Sequence, residues 1–197
     1  MNRLPIIPTI VVAAAVATMI ALGFWQLGRA DEKEAMIARY EAALVSGAQV
    51  PFPAAGGGVA REEDLFHPTT FDCMRVMGRE AIAGRSARGQ SGLAHIARCE
   101  TGRGAADVKL GWSRNPVFEG WDGGTVTGLV TAGGRDGARV QLAEPAPGLE
   151  PLAVPDPADV PNNHLAYAVQ WFLFALTALV IYWLAIRRRH RASREQQ

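Results

Sequence analysis

The sequence predicts a membrane protein in which two transmembrane helices, one at each end, flank an external α+β domain rich in antiparallel strands. Three observations carry this reading. Apolar blocks of spanning length stand at both ends of the 197-residue chain. The stretch between them breaks into short β-leaning runs separated by Gly, Pro, Asn and Asp. Cationic residues crowd behind the second block, as they do on the cytoplasmic side of a membrane.

The first block, Leu4 to Gly28, holds no charged residue and lies between Arg3 and Arg29. The second runs from Leu165 to Ile186, between His164 and Arg187. Crossing a hydrocarbon core of about 30 Å takes about 20 mostly apolar residues, and both blocks suffice. The expected division is therefore a first span over 4–28, an external domain over 29–163, a second span over 164–186 and a basic tail over 187–197. That tail carries five Arg against one acid, whereas 29–163 carries 14 Lys and Arg against 18 Asp and Glu. This asymmetry puts both termini in the cytoplasm and the middle outside. Trp25, Tyr167, Trp171 and Trp183 stand near the span ends, where amphipathic rings favour the headgroup layer.

Two other readings compete. "MNRLPIIPTIVVAAAVATMIALG" resembles a secretory signal with small-residue cleavage sites at Ala13–Ala15 or Ala15–Ala17. Its apolar run is long for a signal and flows straight into a polar helix, which favours a span. The arginine tail could be a nucleic-acid patch. Directly behind an apolar run it reads better as a stop-transfer anchor, and a net charge of +1 supplies no general field for nucleic acid.

Residues 23–45 continue helically out of the first span, rich in Ala, Glu, Met and Arg. Met36, Tyr40 and Leu44, with Ile37 adjoining, predict one apolar face. Asp31, Glu32 and Lys33 read as a solvated turn. "SGAQVPFPAAGGGVA" ends the helix in a linker, because its prolines and glycines cannot sustain one. Strand-like runs follow in "TTFDCMRVMG", "ADVKLGW", "GGTVTGLVTAGG" and "GARVQLAEP". "GRSARGQSG" and "ETGRGAAD" read as turns or exposed loops. "EPAPGLEPLAVPDPADVPNN", with six prolines, reads as an extended return to the membrane.

Candidate chemistry is sparse. Cys73 and Cys99 are the two cysteines. An external domain in an oxidising space would pair them in a disulfide. With His67 and His95 they would also make a two-Cys, two-His set for Zn or Cu(I), although no tight C-x-x-C is present. Free thiols are the third reading. No G-x-S-x-G, H-E-x-x-H, P-loop or dinucleotide fingerprint occurs, so an enzyme is not expected. Glu62, Glu63 and Asp64 read as an ordinary solvated run. His164 is more suggestive. It stands where the second span meets water, with Tyr167, Gln170 and Trp171 near its face. An imidazole there is a candidate iron ligand beside rings able to stack on a macrocycle. Equally, Asn162, Asn163 and His164 form a plain helix start with an Asn near the N-cap.

The two ends together resemble a known family. "LGFWQLGRADEK", Leu22 to Lys33, resembles the first signature of the surfeit-locus assembly factors for cytochrome c oxidase. "NNHLAYAVQWF", Asn162 to Phe172, resembles the second signature. Between them, "VKLGWSRNP" is similar to the family's middle strand in Gly111-Trp112 and the proline, with Lys109 or Leu110 where an arginine is expected. "GTVTGLV" resembles the strand that follows.

The resemblance implies an assembly factor rather than an enzyme. Its task would be to bind heme a and assist its insertion into subunit I of an aa3-type oxidase. His164 would be the axial metal ligand, with Tyr167 and Trp171 beside the macrocycle. Trp25 and Gln26 would serve as heme-side contacts or helix packing, and Arg29 or Lys33 would pair with a propionate. Subunit I, heme a synthase and membrane lipid are the expected partners. The implied setting is a bacterial inner membrane with the central domain in the periplasm. A heme-free scaffold, and a copper-handling factor using Cys73, Cys99, His67 and His95, are the alternatives.

Overall fold

The computed structural model describes residues 5–53 and 61–195, with side chains through Arg191. The glycine-rich part of the expected linker, 54–60, and the first and last residues lie outside these. The chain divides into two compact units, one holding the chain's two ends and the other spanning Ile37–Val160.

Helix α1 (Ile6–Ser46) runs for 41 residues without a break. Pro8 falls in its first turn, where a missing N–H has no intrahelical partner to lose. Gly47 ends it with φ of +61°, its N–H bonded to the Ala43 carbonyl at 3.3 Å. Only glycine adopts that left-handed conformation freely. Helix α2 (His164–Glu195) starts as the Tyr167 N–H bonds to the Asn163 carbonyl at 3.2 Å. Both helices are long and apolar enough to cross a membrane. The central unit includes the last turns of α1, where Tyr40 and Ala43 are buried while Leu44 is exposed. The buried stripe thus ends on Ala43 rather than Leu44. Tyr40 stacks on Phe66 at 4.7 Å, and its hydroxyl donates to Glu62 Oε1 at 3.2 Å.

The rest of the central unit is one mixed sheet. Its strands are β1 (Pro68–Cys73), β2 (Arg75–Arg85), β3 (Ser91–Thr101), β4 (Gly104–Ser113), β5 (Gly124–Ala132) and β6 (Ala138–Leu142). Their spatial order is β1-β5-β6-β4-β3-β2, with β4 and β6 parallel and the other neighbours antiparallel. Edge strands β1 and β2 are separated in sequence by Met74 alone, so the sheet's two edges meet at one corner. There the Met74 N–H bonds to the Glu100 carbonyl at 2.9 Å, and a disulfide joins Cys73 of β1 to Cys99 of β3. The core lies on the face that carries these sulfurs. Val108, Val140 and Val130 stand in register across β4, β6 and β5, each without exposed surface.

Two segments depart from the sequence expectation. "GRSARGQSG" is not a loop throughout. Strand β2 runs to Arg85, Ser86–Gln90 make a tight turn, and β3 begins at Ser91. The Ser86 hydroxyl caps that turn, accepting from the Arg88 and Gln90 amides. In "ETGRGAAD" only Gly102 and Arg103 turn, and strands occupy both flanks. Between these segments lies β3, for which no strand was expected although it is the most continuously buried one.

His95 of β3 is buried, with Nε2 2.8 Å from Ser113 Oγ. The Ser113 proton goes to the Asn115 carbonyl at 3.0 Å, so His95 is the donor of the first bond. Burial pushes the His95 pKa down, against a smaller opposing pull from the Asn115 carbonyl.

Two outcomes are expected. Replacing both cysteines with serine removes a link across 26 residues of chain. Denaturant unfolding of the central unit should show a loss of roughly 3 kcal/mol, and an unchanged midpoint would contradict the role given to the bridge. Because the folded state resists protonating His95, stability is full above the ordinary histidine pKa of ~6.5 and declines as the pH falls below it. His95→Gln should flatten that decline between pH 7 and 5 in the same measurement.

Candidate functional site

The site is built where the two end helices leave their apolar runs. Contacts between them step in opposite directions along the two segments. The Thr9 and Tyr182 hydroxyls are hydrogen-bonded near one end. Phe24 meets Phe172 edge-on at 5.4 Å. Gly23 is buried against the same Phe172 ring, and a Cβ there would stand 2.6 Å from it. Small residues permit such close approach of helices in lipid, where no hydrophobic force drives them together. Ala168 and Ala175, two turns apart on α2, are the buried positions of that helix among the described residues.

His164, one turn before Ala168, continues that seam. Its Nδ1 lies 2.7 Å from Gln26 Oε1. An amide oxygen only accepts, so the imidazole proton sits on Nδ1. Nε2 has no partner among the described residues. One residue pair further toward water, Asn162 Nδ2 donates to the Ala30 carbonyl of α1 at 3.3 Å. Asn162 therefore holds the other helix, while the Asn163 carbonyl starts its own.

The remaining expected site residues are distributed differently. Trp171 is half-buried on the flank of the seam and meets Phe174 edge-on at 6.1 Å. Tyr167 and Trp25 are each more than half exposed. Arg29 is paired with Glu32 one turn along its own helix. Of these candidates, the structure brings His164 and Gln26 together. The four-residue copper set is not assembled. Cys73 and Cys99 are joined to each other. His67 Nδ1 bonds to the Ala48 carbonyl at 2.9 Å, and His95 bonds to Ser113. No group of three or more His, Cys, Asp or Glu side chains comes together as a metal site among the described residues.

The His164–Gln26 bond should be measurable as a coupling between helices. In a double-mutant cycle of Gln26→Leu and His164→Leu, unfolding of the full chain in bicelles should give about 1 kcal/mol of interaction. Additive single effects would mean that the bond does not hold the helices.

The family model described as the SURF1 family matches residues 13–176. No curated protein shows significant similarity to the chain. The matched range takes in both end motifs, the whole sheet and the His164–Gln26 pair. With most of its length matched, and with two membrane-length helices around a mixed sheet, this membrane protein belongs to the SURF1 family and has a role in cytochrome oxidase assembly.

Proposed function

We propose that the protein carries heme a to subunit I of an aa3-type oxidase, with His164 Nε2 as the axial iron ligand. The observation that carries this reading is the 2.7 Å bond from His164 Nδ1 to Gln26 Oε1. A metal-binding histidine normally gives its second ring N–H to an acceptor, which fixes the tautomer and aims the free nitrogen. Gln26 is such an acceptor. It is also neutral, so it strengthens the Nε2 donor less than a carboxylate would, which suits a ligand that must let its cargo go. The heme is cargo, and the chain's task is to hold and release it. The apolar flanks of the helices suit a macrocycle, with Trp25 next to Gln26 in the chain and Tyr167 and Trp171 about one and two turns along α2 from His164. The exposed Arg29–Glu32 pair is worth little by itself. Its guanidinium can exchange onto a propionate, a bidentate partner of the same kind. Lys33, one turn further on, would serve similarly.

In this reading the chain lies in a bacterial inner membrane with both termini in the cytoplasm. The central unit faces the periplasm, where its disulfide is chemically at home. Heme a synthase would be the donor and subunit I the acceptor. A scaffold that holds subunit I by protein contacts alone would use the same His–Gln bond as a helix clamp.

Reduced absorption spectra of the purified full chain, from cells making heme a, separate the two. The parent should carry a heme a band that His164→Ala removes. Gln26→Leu should weaken heme retention roughly tenfold, as loss of a supporting acceptor does. Equal bands in parent and His164→Ala would overturn the ligand assignment. Heme-free protein that still co-purifies with subunit I would establish the scaffold instead.

A further inference from the structure

A second site lies wholly within Ile37–Val160 and does not depend on His164. On the sheet face opposite the buried valine row, Lys109 of β4, Gln141 of β6 and Leu129 of β5 stand side by side in register. The proline-rich return segment crosses this face as a strap. It is pinned by the Ala146 N–H on the Leu110 carbonyl at 2.8 Å and by bridges of Glu150 to Trp112 and of Leu152 to Ser86. Gln141 Nε2 fastens it again, donating to the Ala153 carbonyl at 2.9 Å. Prolines keep the strap extended and deny it the amides it would need to join the sheet as a regular strand. Between strap and sheet is a cavity of about 390 Å³.

The walls are apolar apart from Lys109, Gln141 and Thr127, and no carboxylate lines them. The Gln141 amide is already engaged with Ala153. Lys109 has no hydrogen-bond or ion-pair partner among the described residues. Asp107, two residues before Lys109 on β4, is paired with Arg98, and Glu80 with Arg139 and Arg135. Burial pushes the Lys109 pKa down, and the Arg139 charge adds to this. An unpaired, partly desolvated ammonium is costly unless something anionic meets it.

Ligand sites are typically about 300–1,000 Å³, mostly apolar, with a few placed polar groups. This cavity is at the lower end, the size for one chain rather than two. Its floor strands have their backbone groups paired in the ladder, so a peptide would bring amides that find no partner. We propose that the cavity binds a single-chain anionic amphiphile, a long-chain carboxylate. Its apolar chain lies against Leu129, Leu142, Pro151 and Leu152, and its carboxylate meets the Lys109 ammonium.

The test uses the full chain in phosphatidylcholine nanodiscs, with empty nanodiscs as background. The probe is 11-(dansylamino)undecanoic acid, compared with its methyl ester. The acid should give saturable, blue-shifted emission, one site per chain, displaced by palmitate. Lys109→Met removes a cation that has no partner, so it should keep its near-ultraviolet circular dichroism. It should weaken binding of the acid at least tenfold and leave the ester unchanged. Leu129→Trp, or Leu152→Trp on the strap if the first does not fold, should abolish binding of both probes. Saturable emission no greater than in empty nanodiscs would overturn the proposal. So would a Lys109→Met variant that binds the acid as the parent does, or displacement by phosphatidylglycerol but not by palmitate.

Discussion

The hydrogen bond between His164 and Gln26 joins the two helices at the level where each leaves its apolar run. Along the uncharged run from Leu4 to Gly28 the hydroxyl and amide side chains are Thr9, Thr18 and Gln26, and each finds a partner. Gln26 would otherwise hold an amide beside apolar neighbours, and His164 would start its helix with an imidazole free to turn. Paired, the two fix each other, and Asn162 on the Ala30 carbonyl secures the next step toward water. The bond has a chemical consequence beyond packing. With the proton held on Nδ1, the lone pair of Nε2 is presented on the far side of the ring. One interaction thus serves both helix pairing and the aim of a candidate ligand, which is why the clamp and carrier readings share it.

The central unit solves a different problem. An open sheet of this size leaves two edges for unwanted pairing. Here the edge strands are consecutive in the chain and meet at one corner, where Met74 bonds to Glu100 and the disulfide ties β1 to β3. The sheet's two faces then diverge in character. One carries the valine row and the sulfurs and is closed. The other is covered by a strap that prolines keep from packing fully, and a cavity remains beneath it.

Much of this was legible in the sequence because run length and charge placement are strong signals. The two spans, the polar continuation of the first helix and the extended proline-rich return all follow from them. His164 could be singled out from its place at a span boundary. Its pairing with Gln26 could not, since the two are 138 residues apart and neither forms a local motif. The family resemblance put both residues in signature motifs without pairing them. Strand β3 was hidden for a clear reason. "SGLAHIARCET" has a single β-branched apolar residue, Ile96, and its central run is buried on both faces, so no alternation shows. Ala97 and Cys99 are fully buried because their neighbours cover them, not because they are strongly apolar. The Lys109 cavity was equally invisible, as it depends on the register of three strands and on a strap that returns across them.

In the proposed site Gln26 holds the His164 proton on Nδ1 and leaves Nε2 free to bind a metal. This is tested most directly by ¹⁵N solid-state NMR on the heme-free full chain in lipid, labelled at its four histidines. A His164→Gln sample identifies the resonances that belong to His164. The expected result is a protonated Nδ1 and an unprotonated Nε2 for His164, with the preference lost in Gln26→Leu. A His164 ring protonated on Nε2 in the parent, or a tautomer indifferent to Gln26, would contradict it.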